Sequence, residues 1–175
     1  TDKPWLYTSW YQGLRQATLT LGEPQALRFA PLATAPSLDG RLADGEWPAE
    51  PTATLTASKS RFYCGQQGQV LYLAATRPSI IDRLGKTMKW NPRAAPADSI
   101  IDRDEGCEFY LSDASQSLVV HLAVLVNGAR YDALVKDDGK PNLKWNGDWQ
   151  SAVVADSTAF TVEVAIPLAM LTELG

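Results

Sequence analysis

Between closely spaced prolines and glycines the chain repeats apolar residues with a period of two. No other feature constrains what it can fold into as tightly. The 11 prolines and 12 glycines mark off segments of about ten residues, and strict alternation inside such segments belongs to β-strands with one buried face. Phe160, Val162, Val164 and Ile166 form one face of such a strand, with Thr161, Glu163 and Ala165 on the other, less buried face. In Leu118 to Val126 both alternating sets are apolar apart from His121, which predicts a central strand covered on both sides. Further strands are predicted over 52–57, 61–64, 70–76, 105–111, 131–135 and 150–155. The expected fold is all-β: an antiparallel β-sandwich of jelly-roll or immunoglobulin-like type.

Three stretches fall outside this meander. Residues 1–35 carry Trp5, Tyr7, Trp10 and Tyr11 and end in a proline-rich passage. They read as an N-terminal extension or the end of a preceding domain, with the sandwich domain over 36–175. Residues 78–101 combine two turns of possible helix, Ser79 to Leu84, with a Pro/Ala loop through Trp90, Pro92 and Pro96; a long inserted loop of this kind is often functional. Residues 136–149, KDDGKPNLKWNGDW, are turn-rich, polar and aromatic.

At 175 residues, with 45% hydrophobic and 21% charged side chains, the chain can bury a sufficient core without staples. The net charge of −4 argues against nucleic acid and anionic membranes as partners, since both need a basic face. No run approaches the 18 or more apolar residues of a membrane helix. Thr1 in place of an initiator methionine implies a processed or excised chain, with no signal peptide left to reveal its compartment. Cys64 and Cys107 either pair in an oxidising space or sit buried as thiols; two cysteines do not decide between these.

Hydrolytic and phosphate-binding motifs are absent from the sequence, and the one histidine, His121, is flanked on its own face by Val119 and Ala123, which reads as a packed structural residue. The domain itself is therefore expected to be non-catalytic. Asp102, Asp104, Glu105 and Glu108 cluster at a strand entrance. The Asp102, Asp104, Gly106 spacing matches half of a calcium loop, and makes Asp102 and Asp104 candidate ligands for calcium. Trp90, Trp145 and Trp149 lie in predicted loops among Lys, Asn, Asp and Gly. Flat apolar rings beside hydrogen-bonding side chains suit a pyranose, whose C–H face stacks while its hydroxyls find polar partners. Arg77, Asn146 and Asp148 are the polar candidates, and the competing role for Trp145 or Trp149 is to cap the core.

The segments PSLDGRLADGEWPAEP (36–51), LYLAATRP, RDEGCEFYLSD, VNGARYDA, WNGDWQSAVVAD and FTVEVAIPLAML occur in the order found in the family 9 carbohydrate-binding modules, which the chain resembles over about residues 36–171. The resemblance implies that Asp39, Gly40 and Trp47 open the domain with a turn and a buried Trp. It also implies that Glu108 and Phe109 sit in the strand that the family writes as Glu-Val-Phe-Leu-Asp, and that Glu163, Ile166 and Pro167 mark the closing strand. It implies an antiparallel sandwich, sugar binding between aromatic rings, calcium, and covalent linkage to or docking on a catalytic domain. A secreted or periplasmic bacterial glycoside hydrolase is the expected parent. The family's Gly-x-x-Trp segment and last strand do not follow here, so that strand is either missing from this piece or replaced by residues 1–35. Competing readings are a haem-binding or electron-transfer domain, with His121 and Met88 or Met170 as axial ligands, and a protein-docking domain presenting the N-terminal aromatic cluster.

Overall fold

The computed structural model describes residues 29–79, 84–87, 90, 105–112, 117–136 and 139–172. The fold is all-β, as the alternation predicts. Ten strands are formed by the described residues: β1 (Ala30–Pro31), β2 (Ala53–Leu55), β3 (Ser60–Gln67), β4 (Val70–Pro78), β5 (Gly106–Ser112), β6 (Leu118–Leu125), β7 (Arg130–Lys136), β8 (Pro141–Asn142), β9 (Gln150–Ala155) and β10 (Ala159–Pro167). One turn of helix, α1 (Leu168–Leu171), follows β10. The strands make two antiparallel sheets. The first runs β1-β3-β4-β10-β9 with β2 also on the β3 edge, and the second runs β5-β6-β7-β8. Among the described residues only the two-residue β1–β3 pairing is parallel.

Period-two patterning explains where the core sits. Phe62, Cys64, Leu71, Leu73 and Ala75 of the first sheet, with Phe160, Val162, Val164 and Ile166 of β10, share one buried cluster with Cys107, Phe109, Val120, Leu122, Val124 and Leu134 of the second. Each fully buried Phe, Leu, Ile or Val contributes about 1.5–3 kcal/mol relative to its exposed state. Cys64 and Cys107, one from each sheet, are free thiols in this cluster. Burial pushes the Cys64 thiol up to about 11, against a hydrogen bond with Thr52, and raises Cys107 further. Both therefore stay protonated and unreactive near neutral pH.

The second face of the first sheet departs from the alternation. Thr161 is half-buried, as expected of the less buried side of β10, but Glu163 on the same face is fully buried and Ala165 nearly so. The reason is a segment distant in sequence. Trp47 packs there with Tyr63, Tyr72, Ala74 and Ala165, joined by Leu32, Leu38 and Leu42. Glu163 holds the segment down. Its Oε2 accepts the backbone N–H groups of Asp39 (3.0 Å) and Gly40 (2.8 Å), and its Oε1 accepts the Trp47 indole N–H (3.0 Å). Burial pushes the Glu163 carboxyl up, while the three N–H donors pull it down. Gly40 allows the close approach. Its φ is +78°, and a Cβ there would lie 2.7 Å from the Val153 and Val154 backbone, so any other residue meets both strain and a clash.

Residues 30–32 also belong to this layer, because β1 pairs with β3, Leu32 N–H donates to the Gln66 carbonyl (2.9 Å) and the Leu32 side chain fills the space above Gly65. The predicted N-terminal aromatic cluster and most of the 79–84 helix lie outside the described residues.

Candidate functional site

The predicted ligand residues fall into two groups at opposite ends of the first sheet. Arg77 pairs with Phe160 near the start of β10, whereas Gln150, which follows Trp149, pairs with Ala165 near its end. Five residues of strand separate these levels, about 17 Å at the usual rise of roughly 3.3 Å per residue.

At the first end, Trp90 is half-buried against the Phe160 ring (centroids 5.7 Å apart), and its indole N–H donates to the Asp156 carbonyl at 2.7 Å. The Arg77 guanidinium lies 5.0 Å from the Trp90 ring centre. Burial lowers the Arg77 pKa and the Glu105 charge opposes it, so the side chain remains a cation. The turn that positions Asp156 is tied by its own carboxylate, which accepts from the Thr158 hydroxyl, the Thr158 N–H and the Ala159 N–H. Those bonds, the Thr158 hydroxyl first, hold the Asp156 carboxyl below the usual range.

At the other end, residues 145–149 alternate in environment. Trp145 and Gly147 are half-buried, Trp149 is buried, and Asn146 and Asp148 are exposed. Trp149 is 2% exposed and is built into the core from three directions: its indole N–H donates to Asp132 Oδ2 (2.6 Å), its carbonyl accepts from Arg130 Nη1 (2.7 Å), and the Arg130 guanidinium lies 4.8 Å from its ring centre. Asp132 Oδ2 also accepts the Gly147 N–H at 3.2 Å. Of the two roles left open for Trp149 in the sequence, core cap is the one it has here, and its ring faces are not available for stacking a sugar. Trp145 differs. The edge of its six-membered ring borders Gly147, where a Cβ would come within 2.6 Å of it and 2.7 Å of the Met170 sulfur. The indole packs against the core cluster to which Met170 belongs, with exposed Asn146 and Asp148 close by in the chain.

A third group was not singled out as a site in the sequence. On the outward face of the second sheet, His121 Nε2 lies 2.8 Å from Glu108 Oε2, and the Tyr110 hydroxyl donates to the same oxygen at 2.7 Å. The Tyr110 and His121 rings stack (4.1 Å, 16°), and Tyr131 meets His121 edge-on at 4.9 Å. Burial and the Glu108 carboxylate both raise the Tyr110 pKa, so this phenol keeps its proton. The reading of His121 as a packed residue agrees with its burial, but its partners came only with the strand register. The available signal was the shared parity of Glu108 and Tyr110.

Met170 belongs to the shared core, whereas His121 stands on the outward face of β6, so these two do not form an axial pair. Met88, and the calcium candidates Asp102 and Asp104, lie outside the described residues. Among the described residues no group of three or more His, Cys, Asp or Glu side chains is arranged to hold a metal, and no helix is long and apolar enough to cross a membrane. No protein-family model, curated protein or solved structure matches the chain.

Proposed function

We propose that this chain is a non-catalytic carbohydrate-binding module, a β-sandwich similar to the family 9 modules and carried by a secreted or periplasmic glycan-processing protein. The observation that supports the reading best is Trp145. It is a half-buried indole packed against the core cluster, in a segment that also carries the exposed Asn146 and Asp148. A sugar ring needs an apolar plate backed by a rigid support, and hydrogen-bonding groups at its rim. The sandwich assignment rests on the core shared by one face of each sheet. Trp90 with Arg77 offers a second, separate contact at the far end.

Glycan-array screening of the protein followed by calorimetry tests the reading. Trp145→Ala is expected to abolish binding to the best glycan while leaving the thermal midpoint within a few degrees, because a half-buried ring contributes less to the core than to a ligand contact. Unchanged affinity in Trp145→Ala, or no glycan bound by the wild type, overturns it.

A further inference from the structure

We propose that Asp132 is the positioning residue of the saccharide site: its buried carboxylate fixes the 145–149 turn in the shape that sets the Trp145 indole for a sugar. This role rests on the Trp145 reading and adds to it the group that holds the indole in place. Strand parity marks Asp132 out. It alternates with Tyr131 and Ala133, which cluster on the other face of the sheet, and shares its parity with Leu134 of the core. Across the β6–β7 ladder it stands opposite Leu122, a fully buried core residue. The pattern calls for an apolar side chain here. A buried carboxylate costs desolvation that an apolar residue of similar size does not, and a core position that breaks its own pattern points to a role beyond packing.

The turn supplies that role. Asp132 Oδ2 accepts the Trp149 indole N–H at 2.6 Å and the Gly147 backbone N–H at 3.2 Å. Two donors from the turn thus converge on one oxygen of β7. Within the turn the Gly147 carbonyl accepts the Trp149 N–H (3.1 Å), and the Trp145 N–H donates to the Asn142 carbonyl (3.3 Å). Asn142 in turn pairs with Leu134. The segment is therefore tied to β7 on both sides of Trp145, at Leu134 through Asn142 and at Asp132 through Gly147 and Trp149. The Trp145 ring borders Gly147 so closely that a Cβ there would come within 2.6 Å of it, so a shift of the Gly147 backbone must move the indole. A turn already held in its binding shape has less freedom to lose when a ligand arrives.

The test compares wild type with Asp132→Leu, which suits the core pattern but accepts no hydrogen bond, and with Asp132→Asn, whose amide oxygen can still accept from both donors. Val162→Ala, a core truncation on β10, serves as the control for lost stability alone. Three quantities are measured: the urea midpoint, the Trp145 indole N–H signal in NMR, assigned by its loss in Trp145→Phe, and calorimetric affinity. The probe is the tightest binder among oligosaccharides of glucose, xylose, mannose and N-acetylglucosamine. Asp132→Leu is expected to shift the Trp145 signal and weaken that sugar about tenfold or more, the cost of ordering a freed side chain and its loop. Asp132→Asn should restore the affinity to within about threefold of wild type, since the bonds persist without the charge. Val162→Ala should lower the urea midpoint with the Trp145 signal and the affinity unchanged, which separates positioning from stability. If Asp132→Leu does not fold, Asp132→Thr replaces it with the same expectations, because its hydroxyl is too short to reach both donors. A wild type that binds its sugar through Trp145, with signal and affinity unmoved in the Leu or Thr variant, overturns the role of Asp132 and leaves the Trp145 reading intact. A wild type that binds none of these sugars sinks the Trp145 reading, and the role of Asp132 with it.

Discussion

The Glu163 anchor makes a quantitative prediction. Glu163→Gln preserves size and shape but replaces one acceptor oxygen with an NH2 group. With the amide oxygen at the Oε2 position, the Asp39 and Gly40 N–H bonds survive in neutral form while the Trp47 indole faces a donor. The flipped amide saves the indole bond and confronts two backbone donors instead. The better rotamer therefore loses one bond to a charged acceptor, about 1.5–3 kcal/mol, and weakens two more. The expected cost is about 2–4 kcal/mol, a large share of a typical 5–15 kcal/mol stability. Glu163→Ala leaves three donors unsatisfied and a cavity beside them, and should cost about 5 kcal/mol or unfold the chain. Urea unfolding followed by tryptophan fluorescence gives midpoint and slope. Trp47→Phe in the same background closes a double-mutant cycle, where a coupling of about 1–3 kcal/mol is expected for direct partners. If Glu163→Gln unfolds within about 0.5 kcal/mol of wild type, the size of an ordinary surface change, segment 39–47 does not depend on this carboxylate.

Trp149→Ala should cost about 3–5 kcal/mol as a core aromatic, in contrast to Trp145→Ala; equal losses measured by urea unfolding would contradict their different burial. Gly147→Ala should displace the Trp145 ring, since its Cβ would fall within 2.6 Å of it, and a changed Trp145 environment in fluorescence or NMR is the check. For Cys64, the folded value of about 11 lies above the ordinary 9.0, so the native state binds the proton more tightly than the unfolded chain. Its contribution is complete below pH 9 and declines as pH rises toward 11. Between pH 7.5 and 10.5 wild type should lose about 2 kcal/mol more than Cys64→Ala, and identical pH profiles would refute the burial of this thiol.

Much of the architecture was legible because strand parity is local. The predicted strands over 61–64, 70–76, 105–111, 131–135 and 150–155 reappear as β3, β4, β5, β7 and β9, displaced by a few residues at their ends. Leu118–Leu125 is flanked by β5 and β7 as the doubly apolar pattern requires. The two-residue strands β1 and β8 carry too little sequence to show any period.

The site was less legible, for a physical reason that recurs at each of its residues. Whether Trp145 or Trp149 enters the core depends on Asp132 and Arg130 of β7 and on Met170 of α1, and loop residues without a period carry no record of such partners. His121 and Glu108 meet because of the β5–β6 register, a property of two strands rather than of either one. By itself the sequence determined the alternating strands, the all-β class and the apolar face of each strand, since these follow from side-chain parity along a single segment. Only the tertiary structure decided that Glu163 and Ala165 on the second face of β10 are buried, because the donors to Glu163 come from Asp39, Gly40 and Trp47, 116 or more residues away, and no local pattern encodes a contact that chain folding alone brings together.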